Sequence, residues 1–178
     1  MTIHPEHPFL PGDGDRDPVR RWRGRMPAPV SVWTTHAAPR PVGWTVSSFV
    51  LADGQPPEVV GLVDEESDFA DALALSGRFA VNLLGWSDRA LADVFAGLAP
   101  APGGAFTVGS WSDSEWGPVL DGGAGWLGVR AVGPYDHAGW GLLVRGVVEH
   151  VELGALPDAG VLTSFRGRYG AAGASLGS

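Results

Sequence analysis

The segment "GWTVSSF", Gly43 to Phe49, decides how this chain is read. It lies inside the apolar run "PVGWTVSSFVLA" (41–52), yet it carries the hydroxyls of Thr45, Ser47 and Ser48. Side chains alternate along an extended chain, so Trp44, Val46, Ser48 and Val50 share one face, and Thr45, Ser47 and Phe49 the other. A half-buried strand keeps its polar residues on one face, whereas here both faces receive hydroxyls. Either the strand ends or bulges at Ser47–Ser48, or something polar is held there.

Working outward, "VSVWTT" (30–35) reads as the preceding strand, with "HAAPRP" (36–41) as the turn between them. "EVVGLVD" (58–64) and "RFAVNLLG" (78–85) read as further strands, and "GWLGVRAVG" (125–133) with "WGLLVRGVVEHVEL" (140–153) as an antiparallel pair. "SDFADALALSG" (67–77) predicts a short helix capped by Ser67, with Asp68 and Asp71 in its first turn and Gly77 as its stop. "SDRALADVFAG" (87–97) predicts a second, capped by Ser87, with Leu91, Val94, Phe95 and Leu98 on one face. A long loop, "LAPAPGGAFTVGSWSDSEWGP" (98–118), follows. Six or more antiparallel strands, two or three short peripheral helices and no βαβ rhythm give a mainly β protein built as a small barrel. The expected organisation is an N-terminal arm (1–22, partly extended), one domain (23–170) and a flexible tail (171–178).

Composition narrows the chemistry. A chain of 178 residues, 44% hydrophobic and 18% charged, suits one globular domain. It has no cysteine, and all 12 of its Lys+Arg residues are arginine. This excludes thiolate nucleophiles, Cys-ligated metals, Schiff-base lysines and Walker-type phosphate loops. A net charge of -8 argues against nucleic-acid or anionic-membrane partners. No apolar run reaches the ~18 residues of a membrane span, and the first residues lack a secretory pattern, so a cytoplasmic location is expected.

Local motifs add little by themselves. "GAGWLG" (123–128) matches G-x-G-x-x-G, but it continues into the β-prone "VRAVGP" and not into a helix, so it is no dinucleotide fingerprint. His4 and His7 in "HPEH" lack a third ligand, and no metal site is expected. Five arginines between Arg16 and Arg25 form either an anion-binding patch or the solvated face of a short helix begun by Asp17–Pro18. Asn82, the single asparagine, sits in mid-strand, where it serves an inter-strand hydrogen bond or a ligand. Without a strong nucleophile or a metal centre, any enzymatic chemistry here falls to a bound cofactor.

Taken in order, "VSVWTT…GWTVSSF", "PPEVVGLVDEESDF", "SGRFAVNLL", "LADVFAG", "FTVGSW", "GPVLDGGAGWLGV", "YDH" and "RGRYG" resemble the flavin-reductase-like family of FMN-binding split β-barrels, from Arg23 to Tyr169. The resemblance implies a split, Greek-key-like barrel that forms a homodimer and acts as an NAD(P)H-dependent oxidoreductase. Such an enzyme passes hydride from nicotinamide to bound FMN (or FAD), often for a partner monooxygenase. It further implies cofactor contacts from Thr45, Val46, Ser47, Ser48, Ser67, Asn82, Leu83 and Tyr169. His137, beside Asp136, becomes a polar catalytic positioner near the nicotinamide. The alternatives are a non-catalytic flavin, haem or deazaflavin binder on the same scaffold, or a structural dimer. Asp64, Glu65 and Glu66 depart from the family pattern beside the implied phosphate site, where an arginine such as Arg78 or Arg168 is needed to offset them.

Overall fold

The computed structural model describes residues 17–173. The N-terminal arm before Asp17, with His4 and His7, and the end of the tail lie outside the described residues. The chain runs through α1 (Pro18–Arg23), β1 (Ala28–Pro29), β2 (Ser31–Thr35), β3 (Val42–Val46), β4 (Phe49–Ala52) and β5 (Glu58–Asp64). It continues through α2 (Asp68–Ser76), β6 (Arg78–Leu83), α3 (Arg89–Phe95), β7 (Trp111–Ser112), β8 (Val119–Leu120) and β9 (Gly125–Ala131). It ends with β10 (Asp136–Ala138), β11 (Gly141–Leu153), β12 (Val161–Phe165) and β13 (Arg168–Ala172).

The main sheet has the order β3-β2-β6-β9-β11-β5-β4, with β10 added to β11, and every pairing is antiparallel. Successive reversals along this path leave β3 and β4, its two ends, running in the same direction. They are joined by Ser47 and Ser48 alone, so β3 and β4 are two halves of one kinked strand. Its first half pairs with β2 and its second with β5, which curls the sheet into the split barrel expected from the sequence. The break in alternation at Ser47–Ser48 is this handover.

Burial follows the pairing. On β5, Val59, Gly61 and Val63 are buried while Val60 and Leu62 face outward, the two-residue period of a strand with one face on a core. Trp33 fills the barrel, stacked on Phe79 with centroids 4.8 Å apart and edge-on to Phe49 and Phe69. Such pairs add to area burial, and emptying a core site of this size costs about 3–5 kcal/mol. The second core lies outside the barrel wall, where Val30, Val32, Leu84, Leu91, Ala92, Phe95, Leu120 and Leu162 pack together. β2 therefore has no solvent face, and all five of its residues are buried.

The first predicted helix forms as read: the Ser67 hydroxyl accepts from the Ala70 N–H at 3.2 Å, and Gly77 ends it at φ 65°. The second differs. Trp86–Asp88 form a 3-10 turn ahead of α3, and the Asp88 carboxylate, not Ser87, accepts from the Gly85 N–H at 2.9 Å. Leu98, past the end of α3, is exposed. The Asp17–Pro18 start makes a real helix, since the Asp17 carboxylate accepts from the Val19 N–H at 3.0 Å. "SFRGRYG" lies in a β12–β13 hairpin.

Gly61 is the tightest contact with Trp33: a Cβ there would lie 2.5 Å from the indole. With the ring held by Phe79, Phe49 and Phe69, it has nowhere to move. We expect Gly61→Ala to lower unfolding free energy by about 1–3 kcal/mol, read as a shifted urea midpoint at unchanged slope. An unshifted midpoint would mean that Trp33 is not clamped.

Candidate functional site

β3 pairs with β2 along one edge, and its other edge turns toward the start of α2. A groove of about 450 Å³ opens there, lined by Gly43 and Trp44 of β3, Asp68 and Phe69 of α2, and Phe95 and Phe106. Arg40 stands at its β3 end. The walls are mostly apolar and aromatic with a few charged groups, the pattern of a small-molecule site.

None of the expected site residues lines this groove, although Thr45 follows directly on Trp44 and Ser67 directly precedes Asp68. Thr45, Val32 and Asn82 form one row across β3, β2 and β6, and Val46, Ser31 and Leu83 form the next. Neighbouring strands lie ~4.8 Å apart, so the Thr45–Val46 and Asn82–Leu83 pairs are separated by roughly 10 Å. Ser48 is drawn to the opposite side, where its carbonyl accepts from the Leu62 N–H at 2.9 Å. Two residues beyond Leu62 begins the Asp64–Ser67 turn. His137, on β10, sits across Leu142 from Val63, and its Nε2 lies 3.6 Å from a Glu65 oxygen. Ser67 and His137 thus gather at the β5 end of the split.

The side chains differ in what they can offer. Thr45 donates to the Ala92 carbonyl at 2.7 Å, tying β3 to α3. Val46 is buried in the barrel, and its carbonyl accepts from the Ser31 hydroxyl on the β2 side. The Ser67 hydroxyl donates to the Asp64 carbonyl at 2.6 Å while capping α2, and it is buried. Asn82 is 1% exposed; its amide donates to the Val32 carbonyl at 3.1 Å and its oxygen accepts from the Leu120 N–H at 2.8 Å. It serves the inter-strand reading and braces β8 against β6. Ser47 is half-buried and, among the described residues, makes no side-chain hydrogen bond within the chain. Its hydroxyl is the one in "GWTVSSF" left for a ligand.

Tyr169 stands apart from the groove lining. Its hydroxyl donates to Asp93 of α3 at 2.8 Å, so it braces the helix that Thr45 also holds. Burial, helped by the Asp93 carboxylate, pushes the Tyr169 phenol well above its ordinary range.

The sequence reading passed over Ser31. This fully buried hydroxyl accepts from the Trp33 indole N–H at 3.1 Å and donates to the Val46 carbonyl at 2.9 Å. It pins the last residue of β3 to the barrel core just before the kink. A serine within "VSVWTT" carries no spacing signal that distinguishes it. Arg78, expected as an offset for the acidic turn, is instead paired with Glu115, and Arg168 opens β13.

Comparisons with known proteins bear on the fold and the family. A model of the flavin reductase like domain matches residues 23–173. The NADH:FMN oxidoreductase of Rhodococcus erythropolis is 32% identical over 151 residues, spanning 82% of this chain and 76% of that protein. The FMN reductase (NADH) RutF of Ancylobacter novellus is 31% identical over 108 residues, 60% of this chain; the match spans 59% of RutF, less than two thirds of its length. Nitrilotriacetate monooxygenase component B from Mycobacterium thermoresistibile superposes with a TM-score of 0.78 at 25% identity, over 90% of this chain and 88% of its own.

Two outcomes test the bracing roles. Asn82→Ala leaves the buried Leu120 N–H without its acceptor and should cost about 1–3 kcal/mol of unfolding free energy by urea titration. A folded-state pKa raised above the unfolded one contributes stability below the unfolded value, and that stability is lost as pH rises through the folded one. The Tyr169 contribution should therefore be complete at neutral pH and decline above about pH 10. A Tyr169→Phe variant should be less stable at pH 7 and lose that part of the alkaline slope; an identical slope would place the titration elsewhere.

Proposed function

The chain belongs to the flavin-reductase-like family, and from that premise we propose that it is an NADH-dependent flavin reductase that binds FMN in the split beside Ser47. The observation that carries the placement is the unpartnered, half-buried Ser47 hydroxyl at the kink, about 10 Å along the strand from the apolar groove at Trp44. The residues present fit a planar, partly polar cofactor: a strand edge with free backbone on one side, aromatic walls on the other, and a helix start beyond. FAD is the alternative flavin and NADPH the alternative donor.

When bound, the flavin supplies the redox chemistry, accepting a hydride from the reduced nicotinamide. The chain's part is to bind and align. Backbone N–H and C=O groups of Thr45 and Ser47 would hold the edge of the ring system, with Ser47 adding a hydroxyl. Leu83 and the buried Val46 keep that end apolar, while Asn82 and Tyr169 fix the strands and helix behind it. Ser67 opens α2, whose first N–H groups favour a phosphate. His137, exposed and near Glu65, would position the nicotinamide half of the co-substrate. Alignment of the two rings is what this transfer chiefly needs from a protein.

The wider setting is part of the same proposal. A second copy of the chain would cover exposed Val50 and Leu51 of β4, giving a homodimer. Reduced flavin would pass to a partner monooxygenase, in keeping with the name of the nitrilotriacetate monooxygenase component. No described helix is long and apolar enough to cross a membrane, and a cytoplasmic location is part of the proposal.

Purified protein given FMN and NADH should oxidise NADH well above the protein-free rate, and its FMN complex should show the two-band flavin spectrum. Ser47→Tyr, which fills the split with a bulky ring, should abolish FMN binding while the protein stays folded by circular dichroism. Turnover no faster than the protein-free control, with no FMN binding, would sink the enzyme reading. Unchanged FMN affinity in Ser47→Tyr would move the site.

A further inference from the structure

The groove beside β3 is built by residues to which the flavin site gives no role. Gly43 forms its floor: a Cβ there would lie 2.8 Å from the Phe95 ring, so α3 packs directly on the strand. Trp44, Phe95 and Phe106 supply aromatic walls, and Phe106 is held edge-on by Phe95 at 5.0 Å and Trp111 at 5.1 Å. Two charged side chains complete the lining, Arg40 ahead of β3 and Asp68 in the first turn of α2. Both are exposed, and neither is hydrogen-bonded or ion-paired among the described residues.

Size and chemistry together select a ligand class. A groove of about 450 Å³ lies near the lower end of the ~300–1,000 Å³ range of small-molecule pockets, room for one half of a dinucleotide. Aromatic walls take a flat heterocycle, and a guanidinium can stack on the same plane. A free carboxylate accepts from the hydroxyls of a ribose, as an Asp or Glu does for NAD in other dinucleotide folds, and it repels phosphate. The groove also borders the flavin split. Asp68 directly follows Ser67, and Trp44 lies roughly 10 Å along the chain from Ser47.

We propose that this groove binds the adenosine half of a dinucleotide, with adenine between the aromatic walls and Arg40 and the ribose hydroxyls on Asp68. This rests on the reductase reading above, which supplies NADH as co-substrate with its nicotinamide at the flavin. A carboxylate at the ribose also favours NADH over NADPH, whose 2′-phosphate would meet a like charge. The same adenosine occurs in FAD, and truncated ligands separate the two sources.

Adenosine 5′-monophosphate is the probe, titrated into the full chain by calorimetry. It should bind wild type and raise the apparent KM for NADH competitively. Asp68→Ala, at an exposed position, should weaken that binding on the order of tenfold. Val94→Trp, which fills the groove from α3, should abolish it, with both variants checked for folding by circular dichroism. Reduced nicotinamide mononucleotide is NADH without the adenosine monophosphate. Wild type should show a lower KM for NADH than for the mononucleotide, and that advantage should shrink in both variants. Equal KM values, with FAD bound more tightly than FMN and the difference lost in Val94→Trp, would assign the same groove to the adenosine of the flavin. Adenosine 5′-monophosphate that fails to bind wild type, or binds both variants as tightly, overturns the proposal. An absence of NADH turnover with FMN would remove the reductase reading, while the calorimetric titration still reports on the groove.

Discussion

Trp33 holds the barrel together where the sheet closes on itself. Its ring stacks on Phe79 of β6, meets Phe49 of β4 edge-on and lies against the bare backbone of Gly61 on β5. Its indole N–H reaches Ser31, which in turn fixes the Val46 carbonyl at the end of β3. One side chain thus touches or steers strands on both sides of the closure. The kink follows from geometry: a strand that pairs first with β2 and then with β5 must break its alternation where it changes partner, and it does so at Ser47–Ser48. Small residues suit that point because the chain turns there against two neighbours at once.

The groove beside β3 is the other half of the same constraint. Closing the barrel with a kinked strand leaves the free edge of β3 facing the start of α2, with α3 and Phe106 as an outer wall. Among the described residues no strand pairs with that edge. Thr45 and Tyr169 hold α3 from two sides, which keeps the wall in place without using groups that a cofactor would need.

Much of the architecture could be read in the sequence because it is carried by local pattern. The β5 alternation, the Ser67 cap and the Gly77 stop each follow from residue type and period, and each is present. The broken alternation of "GWTVSSF" marked the kink, though not that its halves pair with opposite ends of one sheet, since partner identity is non-local. Family resemblance named candidate site residues that spacing could not, and the fold then separated what their side chains do. Asn82 and Tyr169 brace, Val46 is buried and tied to Ser31, and Ser47 keeps its hydroxyl out of the hydrogen bonds among the described residues. Ser31 was missed because a buried serine looks like any other until the indole above it is placed. Ser87 was misread as a cap because Asp88, one residue on, competes for the same turn and its carboxylate reaches the Gly85 N–H.

The account stands on the claim that the kinked strand is a cofactor edge. A crystal structure of the protein soaked in FMN tests it most directly. The expected result is the isoalloxazine against the Thr45–Ser48 backbone within hydrogen-bond distance of the Ser47 hydroxyl. A flavin bound on any other face of the barrel, with the split between β3 and α2 filled by solvent, would contradict it.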